Sequence, residues 1–265
     1  MFLVDSHCHL DSLNYQMLHR DVTDVIDKAK LQDVKIILTV CTTISNFHFM
    51  REMIGTRKGV LFSCGTHPLN LDESYSFFDL YNFAMMEDVI AIGETGLDYF
   101  RRQDNKEKQR MAFREHIRVG RMLNKPLIVH MRNAHKDILI ILSEERAYEC
   151  GGVLHSFAED RETARKLLDE GFSISFSGMV TFRNAKELHE VVRYIPFDRL
   201  LIETDSPYLT PAPYRGKENQ PAYVRNIAEC IATIKGCSLA WLANSTTNNF
   251  GRLFHVNINS YLKTD

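Results

Sequence analysis

His7 and His9 flank a single cysteine directly after a short apolar run, broken only by Asp5 and Ser6. If residues 2–10 are extended, side chains alternate between faces and both imidazoles project to the same side. Two imidazoles on one rigid edge can hold a divalent metal. An isolated His-x-His is equally an ordinary polar turn, so the pair gains meaning only from partners elsewhere. Such partners recur at the ends of later β-rich runs: His67, Glu94, Asp98, His130, Arg132, His155, Glu203 and Asp205. Taken singly each has a plain explanation, His130 as a core histidine, Glu94 as a loop cap, Asp205 as a turn residue before Ser206-Pro207. Together His7, His9, Glu94, His130, His155 and Asp205 are too many donors for one tetrahedral zinc. They suffice for two ions that share a bridging carboxylate.

Something must bring these dispersed residues together. Strands are predicted over residues 2–7, 34–40, 60–65, 89–93, 127–130, 152–155, 173–177 and 200–204, each short and apolar as in a parallel sheet buried on both faces. Helical spacing of apolar residues marks 21–31, 106–123, 161–170, 185–194 and 221–234, and Gly171 follows its helix as a stop. Eight alternating units predict an α/β fold, a (β/α)8 TIM-type barrel in one domain over residues 1–265, with a doubly wound open sheet as the alternative. No GxGxxG turn follows the first strand, which weakens a dinucleotide-binding version. In a barrel, groups at the carboxyl ends of strands share one face, and five of the eleven histidines (His7, His9, His67, His130 and His155) stand at such ends.

The 265 residues are 45% hydrophobic and 25% charged with a formal charge of -2, as in an ordinary globular enzyme. No global basic field recruits a polyanion, so a nucleic acid would need local cations or a metal. The six cysteines are scattered without a CxxC pair and read as reduced, mostly buried thiols rather than a disulfide framework. Cys8 should face away from the two histidines. No basic leader and no apolar run of roughly 20 residues occurs, so a cytoplasmic protein without a membrane segment is expected.

The ordered set Asp5-Ser6-His7-Cys8-His9-Leu10, Gly93-Glu94-Thr95-Gly96-Leu97-Asp98-Tyr99, Pro126-Leu127-Ile128-Val129-His130, His155-Ser156-Phe157 and Glu203-Thr204-Asp205-Ser206-Pro207-Tyr208 resembles the TatD family of metal-dependent deoxyribonucleases. The stretch Arg215-Gly216-Lys217-Glu218-Asn219-Gln220-Pro221 also fits, and the match covers nearly the whole chain. The resemblance implies two divalent ions per subunit, Mg, Mn or Zn. His7, His9 and Asp205 would bind the first, His130 and His155 the second, with Glu94 between them. It also implies a 3′-5′ exonuclease acting on single-stranded DNA. Two ions roughly 3.5–4 Å apart can clamp both oxygens of an in-line phosphodiester displacement and acidify a water.

Asp205 is the candidate general base, unless it is a ligand only. His67 and Arg132 are expected to contact phosphate, or to orient the ligands. Asp98 and Glu203 are expected to fix metal-bound histidines. Tyr99, Phe100, Arg101 and Arg102 could stack a base and hold phosphate. The loop of residues 210–221 should either rim the mouth with Arg215 and Lys217 or be a solvated connector. A small-molecule amidohydrolase or phosphoesterase, and a non-catalytic metal-dependent binding module, are the competing functions. No obligate protein partner is evident, so a monomer is the default.

Overall fold

The computed structural model describes residues 1–72 and 75–261. Eight parallel strands follow one another in sheet order exactly as in the chain: β1 (Leu3–Cys8), β2 (Val34–Thr39), β3 (Val60–Cys64), β4 (Val89–Asp98), β5 (Leu127–Arg132), β6 (Gly152–Leu154), β7 (Ser173–Phe176) and β8 (Leu200–Ile202). Helices α1 (Val22–Lys30), α2 (Phe47–Ile54), α3 (Phe77–Ala84), α4 (Lys106–Leu123), α5 (His135–Glu144), α6 (Arg161–Asp169), α7 (Lys186–Tyr194) and α8 (Val224–Lys235) alternate with them, and α9 (Leu239–Leu253) follows. This is the expected barrel. Among the described residues no helix is long and apolar enough to cross a membrane.

The apolar residues divide into two layers. Val4, Ile36, Leu38, Ala91, Ile128, Val153 and Leu201 form an inner cluster, joined by Phe250 of α9 and Phe254 just after it. A larger cluster fills the space between the strands and the helices, with Leu3, Ile37, Phe62 and Ile92 facing Ile26, Phe113 and Ile138. Strands buried on both sides must be apolar at nearly every position, and this produces the continuous runs in the sequence. Side-chain oxygens of Asp21, Ser76, Asp160 and Ser238 accept backbone N–H groups at the starts of α1, α3, α6 and α9, satisfying donors that would otherwise lack partners.

Two departures from the sequence reading have physical causes. The fourth strand does not stop at residue 93 but runs to Asp98, pairing Thr95–Asp98 with Val129–Arg132. Gly96 permits this close pairing: it lies at φ +135°, and a Cβ there would fall 2.0 Å from the His130 carbonyl oxygen. Helices α2, α3, α5 and α9 lack a clean polar stripe in the sequence and were not anticipated. In α9 three residues of the polar stretch 244–249, Thr246, Thr247 and Asn249, are buried: Thr247 Oγ1 donates to the Phe2 carbonyl, and Asn249 Nδ2 to those of Phe197 and Leu200. These bonds tie α9 under the amino ends of β1 and β8, closing the barrel floor.

The β1–β8 seam is built differently from the other strand pairs. Instead of a ladder, one bridge joins Cys8 to Ser206, with His9 N–H donating to the Ser206 carbonyl and Asp205 N–H to that of His7. Below it the buried Asp5 carboxylate accepts from Thr204 N–H (2.8 Å) and Thr204 Oγ1 (2.6 Å), and Ser6 Oγ donates to the Ile202 carbonyl.

Candidate metal centre

Local irregularities aim the candidate ligands. The β1–β2 register shifts between Asp5 and Cys8, and the β4–β5 register between Ile92 and Thr95. Such bulges next to functional sites redirect side chains. Here they let Val4 and His7 both face the interior, while Cys8 lies in the outer layer as expected. Asp205 stands at φ +57°, a left-handed conformation costly for a residue with a Cβ, and its N–H and carbonyl are tied to His7 and Tyr208.

All six candidate ligands converge. His7 Nε2 lies 3.3 Å from His9 Nε2, and Asp205 Oδ1 is 3.5 Å from both. Glu94 Oε2 completes this half at 3.4 Å from His7 and 3.8 Å from His9. The other Glu94 oxygen, Oε1, faces His155 Nε2 at 2.8 Å and His130 Nδ1 at 3.0 Å, and those two nitrogens are 3.4 Å apart. Glu94 thus presents one oxygen to each half.

The far nitrogens decide what the near ones can do. His9 Nδ1 lies 3.1 Å from the Val40 carbonyl, His130 Nε2 3.2 Å from Asp98 Oδ2, and His155 Nδ1 3.3 Å from Glu203 Oε1. Each acceptor draws the proton to the far nitrogen and leaves a lone pair on the near one, as a metal requires. Ser175 Oγ fixes Glu203 from behind at 2.6 Å. Asp98 Oδ1 accepts from Phe100 and Arg101 N–H. His7 Nδ1 is buried without a hydrogen-bond partner. Imidazole nitrogens this close to one another and to carboxylates are what a divalent cation would reconcile, so the residues fit the group.

His67 differs. Its Nδ1 accepts from Leu69 N–H at 3.1 Å, so Nε2 carries the proton and points at Glu94 Oε1, 3.3 Å away. It offers the pocket a donor rather than a lone pair. The loop carrying it is braced by His116, whose Nε2 accepts from Thr66 N–H and whose Nδ1 donates to the Ala112 carbonyl.

The electrostatics agree with a charge-dense pocket. Burial works against charge on Glu94, yet His155, His67 and His130 hold it well below the usual carboxylate range. Asp205 is likewise lowered, by His9 and His7 against burial. Burial opposes a charged His9, but Asp205 and Glu94 push it up to about 9. His130 and His155 are raised against burial by Asp98 and Glu94 and by Glu94 and Glu203 respectively. His7 and His67 are lowered by burial.

The outer candidates divide. Arg132 is exposed at the end of β5, its guanidinium 4.1 Å from the centre of the Phe100 ring. Arg215 is exposed and sits 3.7 Å from that of Phe182, so the loop of residues 210–221 packs against the segment that follows β7. Lys217 is exposed there too, while Thr210 Oγ1 donates to its carbonyl. Asn219, which the sequence did not single out, is fully buried and anchors this loop on the Thr204 and Tyr208 carbonyls. Arg101 is exposed on the opposite rim. Two expectations need correction. Arg102 is engaged by Asp72 and Asp104, and Tyr99 is buried with its hydroxyl on Asp137, so neither is placed to receive a nucleotide. Gln109, buried in α4, holds the 98–105 turn through Asp98, Arg102 and Asn105. Neither Gln109 nor Asn219 had any spacing signal.

Residues 4–255 match the family model described as TatD related DNase. The chain belongs to the TatD family. It is 58% identical over 256 residues to the uncharacterized metal-dependent hydrolase YcfH of Escherichia coli K12, covering 97% of each chain. It is 31% identical over 256 residues to the 3′-5′ ssDNA/RNA exonuclease TatD of Klebsiella pneumoniae, covering 94% of this chain and 97% of that one. Among solved structures, the TatD homologue YJJV of E. coli superimposes with a TM-score of 0.89 at 24% identity over 96% of this chain and 98% of that one. The organophosphorus hydrolase of Deinococcus radiodurans shares the fold more distantly, at 14% identity and a TM-score of 0.65 over 95% and 92%. The chain is therefore a metal-dependent hydrolase of the TatD family, with candidate His and Glu metal-binding groups among the described residues.

Proposed function

We propose that this hydrolase is a 3′-5′ exodeoxyribonuclease that trims single-stranded DNA through a two-ion centre. The observation that carries the reading is Glu94, one oxygen facing each half of a donor set whose lone pairs are fixed from outside. His7, His9, Asp205 and Glu94 Oε2 would hold one ion; His130, His155 and Glu94 Oε1 the other. When bound, such a pair (Mg, Mn or Zn) supplies charge for the phosphodiester oxygens and lowers the pKa of a water. The remaining work falls to the protein. Asp205, ionised beside His9 and His7, takes the proton of the attacking water at its carboxylate. His67 donates its Nε2–H to a phosphate oxygen, since Leu69 leaves it no other tautomer. Arg132 and Arg215 meet the phosphates at the rim. All the donors come from one chain, and a single subunit is a complete site. Polarity and single-strand preference are supported by the name of the Klebsiella relative.

The test uses single strands labelled at the 3′ or the 5′ end, with Mg²⁺ or Mn²⁺, with and without chelator. The expected result is stepwise, chelator-sensitive shortening from the 3′ end, abolished in Glu94→Ala together with metal retention. Turnover of a small ester or lactone without DNA shortening would overturn the reading in favour of a small-molecule hydrolase.

A further inference from the structure

The chain carries a formal charge of -2, yet its arginines are unevenly neutralised. Along the helical flanks Arg114, Arg118 and Arg121 of α4, Arg165 of α6, Arg193 of α7 and Arg225 of α8 each hold a carboxylate. At the mouth Arg101, Arg132 and Arg215 form no ion pair among the described residues. Two of these rim guanidiniums rest instead on an aromatic ring. Arg132, at the end of β5, lies over Phe100 from the turn after β4, and Phe100 is 57% exposed. Arg215, from the loop after β8, lies over Phe182 from the loop after β7. The second pair is fixed to the barrel, because Ala212 N–H donates to Thr181 Oγ1 at 2.8 Å and Gly178 packs directly on the Leu209 carbonyl. The two stacks therefore flank β6, whose carboxyl end carries His155.

We propose that Arg132–Phe100 and Arg215–Phe182 are two nucleotide subsites, each taking one unpaired nucleotide of a single strand laid across the β6 side of the mouth. A ring beneath the guanidinium already restricts the long side chain, so little rotamer freedom remains to be lost on binding. The guanidinium keeps its donors for phosphate oxygens, and either planar group can stack a base. A duplex, whose bases already stack on one another, gains only the charge contacts. The inference rests on the nuclease reading and extends it to where the strand lies.

The test measures binding of a fluorescein-labelled oligothymidylate to metal-free protein across a salt series, and separately the turnover of bis(p-nitrophenyl) phosphate by the parent and by a flank variant. Arg132→Gln and Arg215→Gln should each weaken binding about fivefold and reduce the slope of log K against log salt by about 0.7, one phosphate contact each. Arg132→Lys should retain the slope and lose part of the affinity. Phe100→Ala should weaken binding about tenfold with the slope unchanged. Arg165→Gln, on the flank, should alter neither binding nor turnover of the small diester. An Arg132→Gln/Arg215→Gln protein with the parent's affinity and slope overturns the subsites while leaving a DNA-cutting parent a nuclease. A parent that turns over the diester but neither binds nor shortens the oligonucleotide overturns both.

Discussion

Asp98→Asn isolates the arrangement on which the metal centre depends. Asp98 Oδ1 accepts two backbone N–H groups, from Phe100 at 3.1 Å and Arg101 at 2.8 Å, while Oδ2 faces His130 Nε2 at 3.2 Å. In the asparagine variant the amide oxygen is retained by the two backbone donors, so the NH2 turns toward His130. Two donors then oppose each other, and His130 must either lose its partner or move its proton to Nδ1, the atom that faces Glu94. Both outcomes weaken the lone pair offered to a metal. A hydrogen bond to a charged group contributes about 1.5–3 kcal/mol, and loss of an outer partner of a metal-bound histidine reduces affinity about 10–100-fold. The assay is titration of metal-free protein with Zn²⁺ or Mn²⁺ against a chromophoric chelator. One of two binding steps should weaken by that factor and the other should be unchanged. His67→Gln is the counterpart: His67 presents a proton, so both steps should keep the parent's affinity while DNA turnover falls. Parent-like binding in Asp98→Asn, or loss of an ion in His67→Gln, would refute the tautomer argument.

Other consequences follow from the same geometry. Because His9 is raised to about 9 and His130 and His155 are also raised, these groups bind protons that a metal must displace. Metal affinity should therefore increase with pH toward about 9, with protons released, as read by calorimetry in buffers of different ionisation enthalpy; a pH-independent affinity would contradict it. His116, fully buried, is lowered by burial to about 4. The unfolded chain binds this proton near 6.5, so stability is intact above that pH and falls as pH drops toward 4, by up to about 3 kcal/mol. His116→Gln should flatten that window relative to the parent in paired urea titrations at pH 7 and 4.5. Phe250→Ala, at the barrel floor, should cost about 3–5 kcal/mol in denaturant unfolding while metal affinity at the opposite end stays unchanged.

How much of this was legible in the sequence depended on what each residue type signals by itself. The strands were readable because burial on both faces makes them uniformly apolar, and their ends collected His7, His9, Glu94, His130, His155 and Asp205 on one face. Helices α4 and α6 were readable because one stripe is apolar and the other charged. Helix α5 was not, since Ile138, Leu139, Ile140 and Ile141 run together like a strand, and α9 hides buried Thr247 and Asn249 in a stretch that looks solvated. The predicted fourth strand stops at Gly93, although Gly93 and Gly96 serve a close strand pairing that continues beyond it. At the rim, Arg101 and Arg102 were indistinguishable in sequence; only Asp72 and Asp104, brought up by the fold, separate the neutralised one from the free one.

The barrel is least regular where its chemistry is concentrated. Regular parallel pairing alternates side chains and would deliver only every second residue of β1 to the pocket, but the shift between Asp5 and Cys8 brings His7 to the face that Val4 already occupies. The β1–β8 seam exchanges a ladder for one bridge, and this allows Asp205 to turn into the left-handed region and bring its carboxylate within 3.5 Å of both His7 and His9. The lost ladder bonds are replaced by Asp5, which spans the same seam to Thr204 with two hydrogen bonds. Asp5 therefore does for the backbone what Asp98 and Glu203 do for the imidazoles. It binds nothing itself, but it maintains an arrangement that regular secondary structure would not produce.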